Sequence, residues 1–181
     1  DNYLYGDDVK RFLNKYNVLY KFQFGFRSGF SSVLALLEVT EMITNLLNNN
    51  CYVLGLFLDL QKAFDTVDHE ILLYKLYHYG IRGTLFTWFK SYLSERIQFT
   101  TVNEVPSRKS QINCGVPQGS VLGPLLFLIY INDIALANQD LKIRLFADDS
   151  NLFVCHKDLT TLFNIANYQI DCLNEWLIAN K

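Results

Sequence analysis

Apolar and polar positions change period several times along this chain, and each change marks an element. Residues 52–58 are almost wholly apolar, the pattern of a strand covered on both faces. Behind Ser31, a helix-cap residue type, residues 31–48 repeat apolar side chains at helical spacing until Asn48-Asn49-Asn50 stops them. Asp68 predicts the start of a helix running to about Tyr79, with Gly80 just past its end, and a second helix spans about Thr84 to Leu93. Residues 96–103 alternate as a strand, and residues 107–114 return antiparallel across a turn at Glu104-Val105-Pro106. Ser120 predicts a helix running to about Ala137. Strands at 142–147 and 151–156 make a hairpin with Asp148-Asp149 at its tip, and a last amphipathic helix begins near Asp158. Helices segregated from a small, mostly antiparallel sheet, in the order βααββαββα, define an α+β fold.

At 181 residues the chain has the length of one ordinary domain. Half of it is hydrophobic, with 14 Phe, 11 Tyr and 2 Trp, which excludes a disordered polypeptide. A net charge of −2 gives no general basic surface, so any nucleic-acid contact would have to be local. Cys51, Cys114, Cys155 and Cys172 form no CxxC pair, and the three histidines add no zinc spacing. Buried, reduced thiols in an intracellular protein are expected. The longest apolar run, Val121 to Ile131, is interrupted by Gly123-Pro124 and is too short for a bilayer. The expected location is the cytoplasm or nucleus, without membrane partners. Asp1 stands where an initiator methionine would, and residues 173–181 end inside a helical pattern, so the sequence reads as a fragment.

Acidic residues at strand ends carry the candidate chemistry. Asp148 and Asp149 follow the apolar run ending at Ala147, and Asp59 closes residues 52–58. Ionised acids rarely crowd the edge of a core without a neutralising partner. Hard oxygen ligands suit Mg²⁺ or Mn²⁺, and three carboxylates can hold two ions about 3.5–4 Å apart for phosphoryl transfer. An adjacent Asp pair after a strand is equally the stuff of an ordinary turn. If the 52–58 strand lies beside the hairpin, Asp59 joins the pair. Asp65 and Asp68 are expected in turn and helix-cap roles, and His69 and His78 in structural ones.

Residues 57–69 (Phe57-Leu58-Asp59-Leu60-Gln61-Lys62-Ala63-Phe64-Asp65 onward), 115–124 (Gly115-Val116-Pro117-Gln118-Gly119-Ser120 onward) and Phe146-Ala147-Asp148-Asp149 resemble, in order, motifs A, B and C of reverse transcriptases. Gln23-Phe24-Gly25-Phe26-Arg27-Ser28-Gly29 is similar to the segment preceding motif A in the enzymes of non-LTR, LINE-type retrotransposons. The resemblance covers the chain from about residue 23 onward. It implies an RNA-directed DNA polymerase that adds dNTPs to a DNA primer on an RNA template, with two Mg²⁺ or Mn²⁺ ions. By the same resemblance, residues 51–181 would be the palm and residues 1–50 part of the fingers.

Carried over by position, Asp59 looks like the motif A aspartate that binds both metals. Asp148 looks like the motif C aspartate on the metal activating the primer 3′ hydroxyl, and Asp149 resembles its less directly coordinated neighbour. Phe64 matches the ring that stacks under the incoming sugar and excludes a 2′-hydroxyl, though a core Phe is its plainer reading. Gln118 and Gly119 match the loop lining the nucleotide and templating base, and Arg27 and Lys62 are candidates for phosphate or template contact or for solvated surface. The chain departs from the family by absence: the basic upstream fingers are missing, and residues 176–181 resemble only the start of motif D, before its lysine and the thumb. Two rival readings are a palm kept as a nucleic-acid- or protein-binding module, and an unrelated phosphotransferase with Asp59 as nucleophile.

Overall fold

A computed structural model describes residues 2–117, 119–136 and 141–181. Along the chain run α1 (Asn2–Lys15), α2 (Ser32–Asn48), β1 (Tyr52–Leu58), α3 (His69–His78) and α4 (Gly83–Leu93). Four short strands follow: β2 (Arg96–Gln98), β3 (Thr101–Val102), β4 (Val105–Pro106) and β5 (Ser110–Ile112). Then come α5 (Gly123–Ile131), a tight turn of 3₁₀ helix over Asn132–Ala135, β6 (Lys142–Phe146), β7 (Asp149–His156) and α6 (Leu159–Asn180). Strands β1, β7 and β6 form one antiparallel sheet in that order, with helices packed around it. The architecture is the expected α+β one, a small antiparallel sheet backed by helices.

Local chemistry explains most element boundaries. Ser31 Oγ accepts the Leu34 amide, and Asp158 Oδ2 accepts that of Thr161. Asp68 Oδ1 accepts the amides of Glu70 and Ile71, so three helices start where a cap residue stands. Helix α1 lies outside the expected order. Its stripe of Val9, Phe12 and Leu13 has helical spacing but is short, and Val9 and Leu13 are fully buried in the common core. The 96–114 hairpin is also more broken than expected. Asn103 and Glu104 both take positive φ and make the turn, so Val105 and Pro106 belong to a strand rather than the turn.

Helix α5 is the centre of the core: Gly123 and Leu125 through Ile131 are all buried, and a helix apolar on every side must be enclosed. The inner face of the sheet, with Ser150, Leu152 and Val154 of β7 buried, packs toward it. The outer face carries Phe57, Asn151 and Asp149, the alternate positions. Helices α2 and α6 both lie against β1, but the strand is at the sheet edge and its cover is partial: Phe57, near its end, is 73% exposed. Helix α2 has no buried residue and is tied to β6 by a 2.7 Å ion pair from Arg144 to Glu38. The four cysteines are free and none is buried; Cys114 is exposed, because it lies on the loop leaving the short hairpin. Among the described residues, no helix is long and apolar enough to cross a membrane.

One buried charge joins α3 to the core. Lys75 Nζ donates to the Tyr130 carbonyl at 2.6 Å and to Asp133 at 2.7 Å, and it lies over the rings of Tyr130 and Trp176. Burial pulls its pKa down, and the hydrogen bond and charge of Asp133 work against that pull. Lys75→Met keeps the volume but leaves the Tyr130 carbonyl and Asp133 without their donor. A loss of about 1–3 kcal/mol in urea unfolding is expected, and no measurable loss would show the pair to be energetically idle.

Candidate active site

Strand register brings the acids to one end of the sheet. Strands β1 and β7 pair Phe57 with Asn151 and Leu58 with Ser150, so Asp59, one residue further, falls across from Asp149. Strands β6 and β7 pair Phe146 with Asp149, which leaves Ala147 and Asp148 as a two-residue turn. The turn is thus one residue earlier than the expected Asp148-Asp149 tip, and Asp149 opens β7. The physical reason lies in the backbone. Ala147 has φ +58 while Asp148 stays out of the left-handed region, as in a II′-type turn with only its first central residue at positive φ. A side chain at such a position costs about 1–3 kcal/mol and survives only where surrounding bonds impose it.

Those bonds come from the segment before α2. Gln23, 2% exposed, donates from Nε2 to the Ala147 carbonyl at 3.2 Å, and its Oε1 accepts the amides of Ala147 at 3.0 Å and Gly25 at 2.8 Å. Alongside, Phe24 N donates to the Leu145 carbonyl and Leu145 N to that of Phe22, so residues 22–24 run parallel to β6. Neither Gln23 nor Gly25 declares this role in the sequence. The available signal was a glycine with no turn partner, the mark of a close backbone approach.

Asp59 and Asp149 are exposed and Asp148 is half-buried. None of the three carboxylates has a hydrogen-bond or ion-pair partner among the described residues. Also among the described residues, no three His, Cys, Asp or Glu side chains lie close enough to hold one metal ion between them. The sheet therefore supplies three neighbouring backbone positions rather than a closed cradle of side chains. Their donor chemistry, three hard and anionic oxygen ligands that no described cation pairs with, is of the kind that suits a divalent cation.

Beyond Asp59 the chain turns through Lys62, exposed and at φ +55, and comes back at Phe64. The half-buried Phe64 ring lies flat on Phe127 of α5 at 4.5 Å and meets Phe26 edge-on at 6.1 Å. The next loop is fastened to this stretch: Val116 N donates to the Phe64 carbonyl at 2.8 Å and Gly115 N to that of Val67 at 2.7 Å. The His69 ring nitrogen Nε2 donates to the Gly115 carbonyl at 2.8 Å, which gives that histidine its structural role. Gly119 is exposed, with φ +75 and nothing within 4 Å of where a Cβ would stand. Gln118 lies outside the described residues.

Ser120 does not cap a helix directly. Its Oγ donates to the Pro117 carbonyl and accepts the Gly123 amide, closing a turn, so α5 begins three residues later with Pro124 in its first turn. At the other end the helix tightens into the 3₁₀ turn, and the expected end at Ala137 lies outside the described residues.

Arg27 is half-buried and turned inward: one guanidinium nitrogen donates to the carbonyls of Tyr20 and Gln23, and the group lies 4.2 Å from the Phe30 ring. Burial lowers its pKa. Asp68 is the cap that its position suggested. Burial raises its pKa, but the Lys181 ammonium at 2.9 Å and the capped amides outweigh that and hold it below the usual carboxylate value. A cleft of about 500 Å³ beside the loop is lined by Asp65, Arg96, Gln98, Gln111, Cys114 and Pro117 but by none of the three acids.

The family described as reverse transcriptase (RNA-dependent DNA polymerase) matches residues 5–180. The chain is 33% identical over 163 residues to the RNA-directed DNA polymerase from mobile element jockey of Drosophila melanogaster, covering 86% of this chain and 18% of that protein. It is 37% identical over 131 residues to the probable RNA-directed DNA polymerase from transposon X-element of the same species, covering 70% of this chain and 14% of that protein. With a retrovirus-related Pol polyprotein from type-1 retrotransposable element R2 of Popillia japonica it shares 30% over 128 residues, 61% of this chain and 18% of that protein. The chain spans less than a fifth of the length of these relatives. The chain belongs to the reverse transcriptase (RNA-dependent DNA polymerase) family, on the branch of the non-LTR retrotransposons.

Proposed function

We propose that this domain adds dNTPs to a DNA primer on an RNA template by two-metal nucleotidyl transfer, as one part of a longer retrotransposon protein. Residues 51–181 then serve as palm and residues 1–50 as part of the fingers. The observation that carries the reading is the placement of Asp59 across from Asp149, with Asp148 in the adjoining turn and no protein partner among the described residues for any of the three. When bound, two Mg²⁺ or Mn²⁺ ions would neutralise charge building on the α-phosphate and favour the ionised primer 3′ oxygen. Asp59, Asp148 and Asp149 would hold them. The primer oxygen forms its bond to the α-phosphorus as pyrophosphate leaves.

Phe64 positions the sugar. Its ring is backed by Phe127 and flanked by Phe26, so an added 2′-hydroxyl would meet packed carbon. Gly119, with open space around it, lets the loop backbone approach the nucleotide, and Gln118 would line the same loop. Lys62, exposed on the turn that follows Asp59, is free to meet phosphate, whereas Arg27 acts on its own loop first.

The test is primer extension on an RNA template by the full-length protein, with dNTPs and rNTPs in parallel. Extension with dNTPs is expected, and Phe64→Ala should cut the preference for dNTPs over rNTPs by roughly 10- to 100-fold. Unchanged sugar selection removes the gate, and no extension at all by the complete protein favours a retained binding module over an enzyme.

A further inference from the structure

A two-residue hairpin turn leaves the N–H and C=O of its central residues without strand partners. In most hairpins water takes them. Here Ala147 is buried, and both of its backbone groups go to one side chain, that of Gln23. The third bond of that side chain goes to its own neighbour, the Gly25 amide. Two amides converge on one amide atom and a carbonyl faces the other, so the orientation of the Gln23 group is dictated by its partners. Glutamate would keep the acceptor and lose the donor when ionised, and methionine would supply neither.

Gly25 completes the fit. A Cβ there would lie 2.2 Å from Ala147 N and 2.8 Å from its Cα, so only glycine lets this backbone rest on the turn. Residues 22–25 thus form a parallel rail along β6 that ends on the first residue of the turn. The next residue is Asp148. The Phe146–Asp149 pairing closes the turn, Gln23 bonds both backbone groups of Ala147 within it, and the direction in which the following residue leaves depends on the Ala147 conformation.

We propose that Gln23, seated by Gly25, is a positioning residue for the polymerase reaction: it fixes the Ala147-Asp148 turn and thereby where the Asp148 carboxylate stands. The inference rests on the reading of Asp148 as a catalytic ligand. Misplacing a catalytic group by about 1 Å costs on the order of 10²-fold in rate. The loss should fall on turnover, because the Gln23 side chain is buried and bonded to backbone, out of reach of a bound substrate.

The experiment compares Gln23→Met, Gln23→Glu and Asp148→Asn in the full-length protein, by single-nucleotide addition and by amide hydrogen exchange across residues 142–156. Gln23→Met should lower kcat roughly 10- to 100-fold, the range for residues that orient metal ligands, with KM for dNTP and Kd for primer–template kept within about threefold. The Ala147 amide should exchange at least about tenfold faster while α3 and α5 stay protected. Gln23→Glu, which keeps two of the three bonds, repeats the measurement should the methionine variant not fold. Unchanged kcat, unchanged exchange at Ala147, or a loss spread equally over kcat, KM and helix protection overturns the proposal. Full activity in Asp148→Asn instead overturns the catalytic reading beneath it, and the exchange data then report on the turn alone.

Discussion

Asp148→Asn is expected to cut nucleotide addition by on the order of 10³-fold or more while the domain stays folded. The substitution keeps side-chain shape and removes one negative charge. Asparagine also suits a turn as well as aspartate does, since both bond their own backbone and accept unusual φ. Asp148 is half-buried, and its carboxylate makes no hydrogen bond or ion pair with any described residue, so a stability change within about 0.5 kcal/mol is expected. Activity and folding are thereby separable at this position. Primer extension on RNA and a thermal melt of the same preparation check both halves. A variant that polymerises at the parent rate rules out Asp148 as a ligand; one that melts early turns it into a structural residue.

The three acids respond to different surroundings. Asp59 lies beyond the end of an edge strand, Asp149 opens the central strand, and Asp148 occupies the turn between β6 and β7. Their proximity is a property of pairing: Leu58 opposite Ser150 leaves no other partner for position 59 than position 149. A register slip of one residue would send Asp149 and Asn151 to the inner face and Ser150 and Leu152 outward. The apolar residues Leu152 and Val154 on one face thus secure the register that the acids on the other require.

What could be read from residue order was what local chemistry decides. The caps at Ser31, Asp68 and Asp158 and the end near Gly80 depend on a few neighbours, and each lies where its side chain indicated. The errors are non-local. Residues 52–58 carry the composition of a covered strand, and α2 and α6 do lie against them, but pairing leaves them at the sheet edge with Phe57 exposed. The hairpin tip moved by one residue because Ala147 is held by a glutamine 124 positions away, a distance no turn propensity registers. The order and type of the candidate site residues were legible in the motifs. That Phe64 would be clasped between rings from the loop at Phe26 and from α5 was not, since it needs three segments brought together.

Gly115→Ala is expected to damage the domain twice over, because a backbone clash and a left-handed conformation coincide at this position. Gly115 is buried with φ +85, a conformation that costs an L residue about 1–2 kcal/mol. The added Cβ would stand 2.8 Å from the Asp65 carbonyl oxygen and 3.1 Å from its Cα, and backbone cannot swing away as a flexible side chain can. Overpacking of this kind adds about 1–3 kcal/mol, for a total of about 2–5 kcal/mol. Relief is possible only by parting the loop from residues 64–67. That would break the Val116–Phe64 and Gly115–Val67 hydrogen bonds and the His69 contact. The damage therefore reaches function as well as stability: the loop bearing Gly119 would lose its register against Phe64, and KM for dNTP should rise. Gly119→Ala is the matched control. It shares the positive φ, at +75, but has nothing within 4 Å, so only the conformational cost of about 1–2 kcal/mol remains. Urea unfolding of the two variants should separate them by the clash alone, and equal losses would mean that the Asp65 backbone gives way more readily than its hydrogen-bonded setting allows.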